Sequence, residues 1–245
     1  MELTVLGSSS KGNCYILQNE SEALVIEAGV RLKEVKKALN FNMRKVAGCI
    51  ISHSHGDHAS RAQEYQGANI EIFASIATAV GADIKPGRLL TIFKNHDTFQ
   101  AGGFTVKALE VNHDVECHAF LIRHSEIGLM LFATDTYYLP YVFGGLTNVL
   151  IEANYSREIL RKNIAEGRIP AAFENRVIQS HFEISDTIKA LKANDLSKVN
   201  NIVLLHLSDG NSDAADFKKR VHAATGKTVN IAEKGLKIDL NKHPF

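Results

Sequence analysis

The stretch IISHSHGDHAS, residues 50–60, places His53, His55, Asp57 and His58 within six positions. A solvated loop has no use for so much imidazole in one turn. A packed core rejects it, because buried polar groups must find partners. Metal binding accounts for the density, and it requires further ligands downstream. In an extended chain, positions i and i+2 point the same way, so His53 and His55 can clasp one ion. Asp57 and His58 come where ASRAQEYQ suggests the start of a helix, and they face a slightly different point. That is too many ligands for one tetrahedral ion. Two adjacent ions accommodate them.

Four apolar runs each lead into a metal-competent residue. AGCIIS leads to His53, TVKALEVN to His113, LMLFAT to Asp135 and NIVLL to His206. Strand ends are where loops converge on one point. A single histidine at a strand end is more often a surface or hydrogen-bonded residue than a ligand. Four such residues together with the cluster are not explained that way. Asp135, with two carboxylate oxygens, is the candidate to bridge two ions. The donors suit zinc first, and manganese and iron accept the same types.

Composition narrows the setting. With 245 residues and 45% hydrophobic content, the chain can bury a substantial core. Its 28 basic and 27 acidic residues give a net charge of +1. That balance carries no footprint for long nucleic acid or a membrane surface, although a local basic patch remains compatible with it. Three cysteines, Cys14, Cys49 and Cys117, are not a disulfide framework and fit a reducing compartment. MELTVLGSSSKGN lacks the regions of a signal peptide. LMLFATDTYYLPYVFGG is interrupted by Asp135 and does not make a membrane span. The expectation is a soluble cytoplasmic protein.

The pattern along the chain is β-rich with interspersed helices. Strands are expected at Leu3–Leu6, Cys14–Leu17, Leu24–Ile26, AGCII, Ile70–Phe73, Leu89–Phe93, Phe104–Val111, Ala119–Ile122, Leu129–Ala133 and Val149–Ile151. Later strands are expected at Val177–Gln179, Ile202–Leu205, Thr228–Ile231 and Leu236–Leu240. Helices are expected over 31–41, Arg157–Glu166, Asp186–Ala193 and Asp213–Ala224, the last with Ser212 as N-cap and Gly226 as stop. No repeat or linker appears. One domain over residues 1–245, built from two β-rich halves with helices outside, is the simplest arrangement.

With these residues in place, His53-Ser-His55-Gly-Asp57-His58 resembles the HxHxDH signature of the metallo-β-lactamase superfamily. The resemblance runs from Leu3 to about Leu240 and implies an α/β fold, a four-layer αββα sandwich with a two-metal site at one edge. It implies one ion on His53, His55 and His113, and a second on Asp57, His58 and His206. Asp135 would bridge them, with a water or hydroxide between the ions. GSSSKGNCYIL, VLIEAN and LLHLSDGN are similar to the short YycJ/WalJ-type branch, related to phage anti-Pycsar cyclic-nucleotide phosphodiesterases and ribonuclease Z. In that branch an extra histidine serves the leaving group, and QSHFEIS offers His181 for the role. LVIEAGV departs from the family's usual aspartate with Glu27, and there is no room for a β-CASP insertion between Asp135 and His206.

The resemblance implies a dinuclear metal-dependent hydrolase, a phosphodiesterase acting on a cyclic nucleotide or on DNA or RNA ends. Two ions lower the pKa of a bridging water towards roughly 7 and neutralise charge in an in-line displacement. His181 would protonate the leaving group, and Asp57 would orient a histidine or the attacking water. An acyl hydrolase of thioesterase, lactonase or β-lactamase type is the alternative. A binding module without turnover is a third reading, which the full ligand set disfavours. His118, Ser208 and Asn211 are candidate substrate contacts, with strand-start and helix-cap roles as their ordinary explanations. Glu152 and Asn154 can support the site, and Tyr137 and Tyr138 can line it or pack as core. Ser8–Asn13 reads as a loop framing the site. His96 falls in a turn, and His124, His222 and His243 read as surface residues. A homodimer is compatible with this branch.

Overall fold

The computed structural model describes residues 1–243. In chain order its elements are β1 (Glu2–Gly7), β2 (Cys14–Gln18), β3 (Ala23–Ile26), α1 (Leu32–Ala38), β4 (Val46–Ile50), α2 (Gly56–Ala59), α3 (Ala62–Gly67), β5 (Ile72–Ala74), α4 (Ile76–Gly81) and β6 (Leu90–Ile92). They continue with β7 (Thr98–Ala101), β8 (Phe104–Val111), β9 (Cys117–His124), β10 (Gly128–Ala133), β11 (Asn148–Glu152), α5 (Arg157–Ala165), α6 (Phe173–Ser180), α7 (Ile184–Ala193), β12 (Asn201–Leu205), α8 (Ala214–Thr225), β13 (Thr228–Ile231) and β14 (Lys237–Asp239). Two seven-stranded sheets result, ordered β14-β1-β2-β3-β4-β5-β6 and β13-β12-β11-β10-β9-β8-β7.

Strands without a polar face dictate the layering. Successive side chains of a strand point to opposite faces. In β2, Tyr15 and Leu17 join the core between the sheets, while Cys14 and Ile16 join an outer core with Val35 and Leu39 of the α1 region and Tyr65 of α3. In β10, Met130 and Phe132 face inward, while Leu131 and Ala133 face a second outer core with Leu191, Phe217 and Val221 of α7 and α8. Both faces of each sheet are therefore apolar, and both must be covered. The outcome is the four-layer αββα sandwich. Across its middle, Tyr15 of β2 meets Phe132 of β10 edge to face at 5.3 Å. Each such ring contributes about 1.5–3 kcal/mol by burial.

Several expectations are corrected. Val177–Gln179 is not a strand but part of α6. Its short apolar run hides a longer segment, FENRVIQS, whose Phe173 and Val177 stand at helical i, i+4 spacing. The N-cap of α8 is Asp213, whose side chain accepts from Asp216 N, and not Ser212. Gly226 ends that helix at φ 67, as expected. Strand β7 and helix α4 were not anticipated. His124 is not a surface residue: it is buried and bonds to Glu22 at 3.0 Å. Among the described residues, no helix is long and apolar enough to cross a membrane.

Parallel pairing sets the location of the site. Strands β3 to β6 run parallel to one another in the first sheet, and β10 to β13 in the second. Loops leaving β3, β4, β10, β11 and β12 therefore emerge at carboxyl ends, the usual place for function in such sheets. Glu27, Asp135 and His206, each just past a strand end, have φ of 66, 45 and 53°. Left-handed backbone at non-glycine residues costs roughly 1–2 kcal/mol each, and it turns all three side chains towards one centre.

Candidate metal centre and active site

After β4 the chain stays extended through His53 and His55, and α2 then begins at Gly56. The turn is held by backbone bonds from Asn13 N to Asp57 O and from Ala28 N to His58 O, both 2.7 Å. Gly29 lies against it: a Cβ there would stand 1.7 Å from Asp57 O. Two loops of the first sheet thus clamp the histidine turn, and Ser8 Oγ extends the clamp to the second sheet by accepting from His206 N at 2.8 Å.

The residues converge in two groups. His53, His55, His113 and Asp135 offer ligand atoms that all lie within 4.8 Å of one another, and so do Asp57, His58, Asp135 and His206. In the first group, His55 Nδ1 is 3.2 Å from His113 Nε2, and Asp135 Oδ2 is 3.6 Å from His53 Nε2 and 3.9 Å from His113 Nε2. In the second, Asp57 Oδ2 is 3.3 Å from both His58 Nε2 and His206 Nε2, and Asp135 Oδ2 is 3.4 Å from His58 Nε2. Ligands about 2.0–2.1 Å from a tetrahedral zinc-like ion stand roughly 3.3 Å from each other. The separations, 3.2 to 3.9 Å, lie near that edge length. His53 Nε2 and His206 Nε2 are buried and have no hydrogen-bond partner. Buried orphan donors or acceptors are costly, and a divalent cation in each ligand group would satisfy the one that belongs to it. The donor set fits the metals.

Other groups aim the ligands from behind. His113 Nδ1 donates to Ser180 O at 2.9 Å, which leaves Nε2 as a lone pair for the centre. His53 Nδ1 pairs with Ser52 Oγ at 2.9 Å. Thr134 Oγ1 donates to Asp135 Oδ1 at 2.8 Å. Asn13 Nδ2 donates to Asp57 Oδ2 at 3.0 Å and reaches His58 Nε2 at 2.9 Å. Glu27 is fully buried, with Oε2 3.6 Å from His58 Nδ1, beyond a hydrogen bond. Glu152 ties several elements together: it accepts from Thr136 N and Phe182 N at 3.1 Å, from His181 Nδ1 at 2.7 Å and from His206 Nδ1 at 3.2 Å.

The electrostatics follow from this crowding. Burial keeps His53 and His113 well disposed to the neutral, ligating form, their pKa values lying below the ordinary imidazole value. Burial would raise the carboxyl of Asp135, but His206 and His58 more than offset it and hold it well below the usual carboxylate range. Asp57 is held down in the same way by the His206 and His58 imidazoles beside its carboxylate. His58 and His206 are lifted despite their burial, first by Asp135 in both cases. For His181, burial is likewise outweighed by the Glu152 carboxylate, which raises its pKa.

His181 stands at the C-cap of α6, with His206 beside it at 5.4 Å between ring centroids. Both line a pocket of about 430 Å³ that also includes Ser208 and Asn211. His118 is not there. It is 2% exposed and its ring lies edge-on to Phe93. Tyr137 and Tyr138 are exposed on the loop past Asp135. Two contributors, Asp114 and Arg176, were missed by sequence reasoning. Asp114 Oδ1 comes within 3.0 Å of His113 Nε2 and 3.3 Å of His55 Nε2, and its place next to His113 was the available signal. Arg176 had no local signal, being brought in by α6, whereas Asn13 ends the Ser8–Asn13 loop expected to frame the site and does so.

Against this geometry, the family model of the metallo-beta-lactamase superfamily matches residues 9–74, which include the histidine turn. The chain has the metallo-β-lactamase fold. It is homologous to exodeoxyribonuclease YycJ of Bacillus anthracis, 25% identical over 86% of this chain and 84% of the relative. It is also homologous to exodeoxyribonuclease WalJ of Streptococcus pneumoniae, 24% identical over 96% and 91%. The metallo-β-lactamase-fold protein YhfI of Bacillus subtilis superposes with a TM-score of 0.75 at 18% identity, covering 97% of this chain and 99% of that one. The metallo-β-lactamase fold and the His/Asp groups suited to divalent cations make this a metal-dependent hydrolase.

Proposed function

We propose that the protein is a phosphodiesterase that hydrolyses a nucleic-acid end, DNA first, with two divalent cations of zinc type. His53, His55 and His113 would hold one cation, Asp57, His58 and His206 the other, and Asp135 both. Such cations supply Lewis-acid charge for a phosphoryl oxygen and acidify water. The observation that carries the reading is His181: Glu152 binds its Nδ1 at 2.7 Å, and its ring borders the same pocket as His206. An imidazole kept protonated by a carboxylate can deliver a proton to an alkoxide leaving group, which a phosphodiester needs. Asn13 and Ser180 keep Asp57 and His113 aimed. The deoxyribonuclease names of YycJ and WalJ support DNA as the substrate.

The balanced charge of +1 favours a second reading, a small cyclic nucleotide. The test is turnover by zinc- or manganese-loaded protein of DNA and RNA ends, cyclic mononucleotides and acyl esters, with Asp135→Ala as blank. Shortened DNA, absent with the blank, is the expected result. Cyclic-nucleotide turnover without DNA cleavage replaces the first reading with the second. Hydrolysis of acyl substrates alone rejects both and leaves the acyl-hydrolase alternative.

A further inference from the structure

The pocket beside His181 and His206 lies between the loop after β1, α6 and the loop after β12. Its volume of about 430 Å³ is in the small-ligand range. Polar donors crowd its walls: the Ser9, Ser10 and Ser208 hydroxyls, the Asn211 amide and Arg176 from α6. Neighbouring arginines are all neutralised, Arg157 by Asp186, Arg161 by Glu174, Arg168 by Glu166 and Arg220 by Asp216. Arg176 has no carboxylate within 4.0 Å among the described residues. Asp209, the one acid on the pocket wall, is engaged by Lys11 at 2.8 Å. An unpaired guanidinium among hydroxyls is built for an oxyanion, and its planar fork matches phosphate.

We propose that this pocket is a second phosphate site, taking the phosphate that neighbours the scissile diester of a nucleic-acid end, with Arg176 as its cation. The inference rests on the phosphodiesterase reading and deepens it. A cyclic mononucleotide has one phosphate, which the metal centre uses, so it would leave Arg176 idle. A nucleic-acid end fills both positions. The adjoining phosphate is either a terminal monoester or an internucleotide diester, and the same guanidinium serves each.

The test compares kcat/KM of the zinc-loaded full chain for bis(p-nitrophenyl) phosphate, which has one phosphate, with that for a short DNA strand bearing a 5′-phosphate or a 5′-hydroxyl. Arg176→Ala lowers the ratio of DNA to one-phosphate turnover roughly 10- to 100-fold, mainly through KM. It also reduces the slope of log KM against log salt by about 1. Arg176→Lys, which keeps charge but not the fork, falls between. A loss confined to 5′-phosphorylated DNA identifies the terminal phosphate, and an equal loss on both strands the internucleotide one. If wild type cleaves DNA and the ratio stays unchanged in Arg176→Ala, the second site is refuted while the phosphodiesterase stands. If wild type cleaves no DNA, the functional reading itself fails before any variant is compared.

Discussion

Replacing Glu152 by Gln and His181 by Ala separates two tasks that one carboxylate performs. Glu152 faces four donors: the backbone N–H groups of Thr136 and Phe182 and the Nδ1 atoms of His181 and His206. A glutamine amide can accept on only one of its two sides. The backbone donors are fixed, whereas an imidazole can move its proton, so the amide oxygen takes the backbone and the NH2 meets the two rings. Both histidines must then present a lone pair at Nδ1 and carry their proton at Nε2. For His206 that proton sits on the atom expected to bind metal. Glu152→Gln therefore weakens the second metal position and leaves His181 neutral. His181→Ala removes the acid alone. The expected losses on a DNA substrate are about 10²- to 10⁴-fold for His181→Ala and at least as large for Glu152→Gln. With a p-nitrophenyl leaving group, which departs without protonation, His181→Ala loses far less. Metal content by plasma mass spectrometry stays at the wild-type value in His181→Ala and falls in Glu152→Gln. The buried mismatch costs about 1–3 kcal/mol, a Tm decrease of roughly 2–12 °C for a chain of this size. Equal losses on both leaving groups would refute the acid role of His181. Full metal content in Glu152→Gln would refute the tautomer argument.

Three further outcomes follow from the packing and the ligand set. Metal at about 1,000 times its Kd stabilises a site present only in the folded chain by about 4 kcal/mol, so chelation should lower Tm by roughly 8–16 °C. Scanning fluorimetry with Asp135→Ala as control should show little chelator response in the variant, and an equal response in both chains would contradict the assigned ligand. Gly29→Ala places a Cβ 1.7 Å from Asp57 O, a backbone atom that cannot swing away. Urea unfolding should show a loss of about 3 kcal/mol or more with reduced metal content, and a stable, metal-replete variant would show the clamp to be loose. Phe132→Ala removes a fully buried ring from the seam between the sheets. It should cost about 3–5 kcal/mol, and a value under 1 in the same unfolding experiment would mean the seam does not hold the sheets together.

The legible parts of the fold were those in which one residue type has one use. Strands such as Cys14–Leu17 and Leu129–Ala133 are apolar on both faces, and a chain with many such strands must be layered with helices outside. The histidine turn was legible because no packing role explains its density. Failures came where the deciding information lies outside the few residues read, either a longer local window or a partner distant in sequence. Val177–Gln179 reads as strand over three residues and as helix over eight. His124 looks like a surface residue until Glu22, far away in the chain, binds it. His118 follows closely on a metal candidate, yet its position on β9 turns it towards Phe93.

The same limit explains why the supporting residues around the site were harder to read than the ligands. A ligand is constrained by its own chemistry, so type and spacing betray it. Glu152 and Asn13 could be placed near the site but not given partners, and Ser180 could not be placed at all, because their contacts depend on where the two sheets bring them. The backbone makes this concrete. Glu27, Asp135 and His206 adopt left-handed φ without being glycine, against their local preference. Such residues persist only where surrounding contacts over-determine them, and here those contacts come from both sheets: Ser52 N to Glu27, Thr134 Oγ1 to Asp135, Ser8 Oγ to His206 N. At His206 the strain is held across the two sheets, and at Glu27 and Asp135 within one. The first ligand group takes His53 and His55 from loops of the first sheet and His113 and Asp135 from loops of the second, so the site is complete only when the two sheets close.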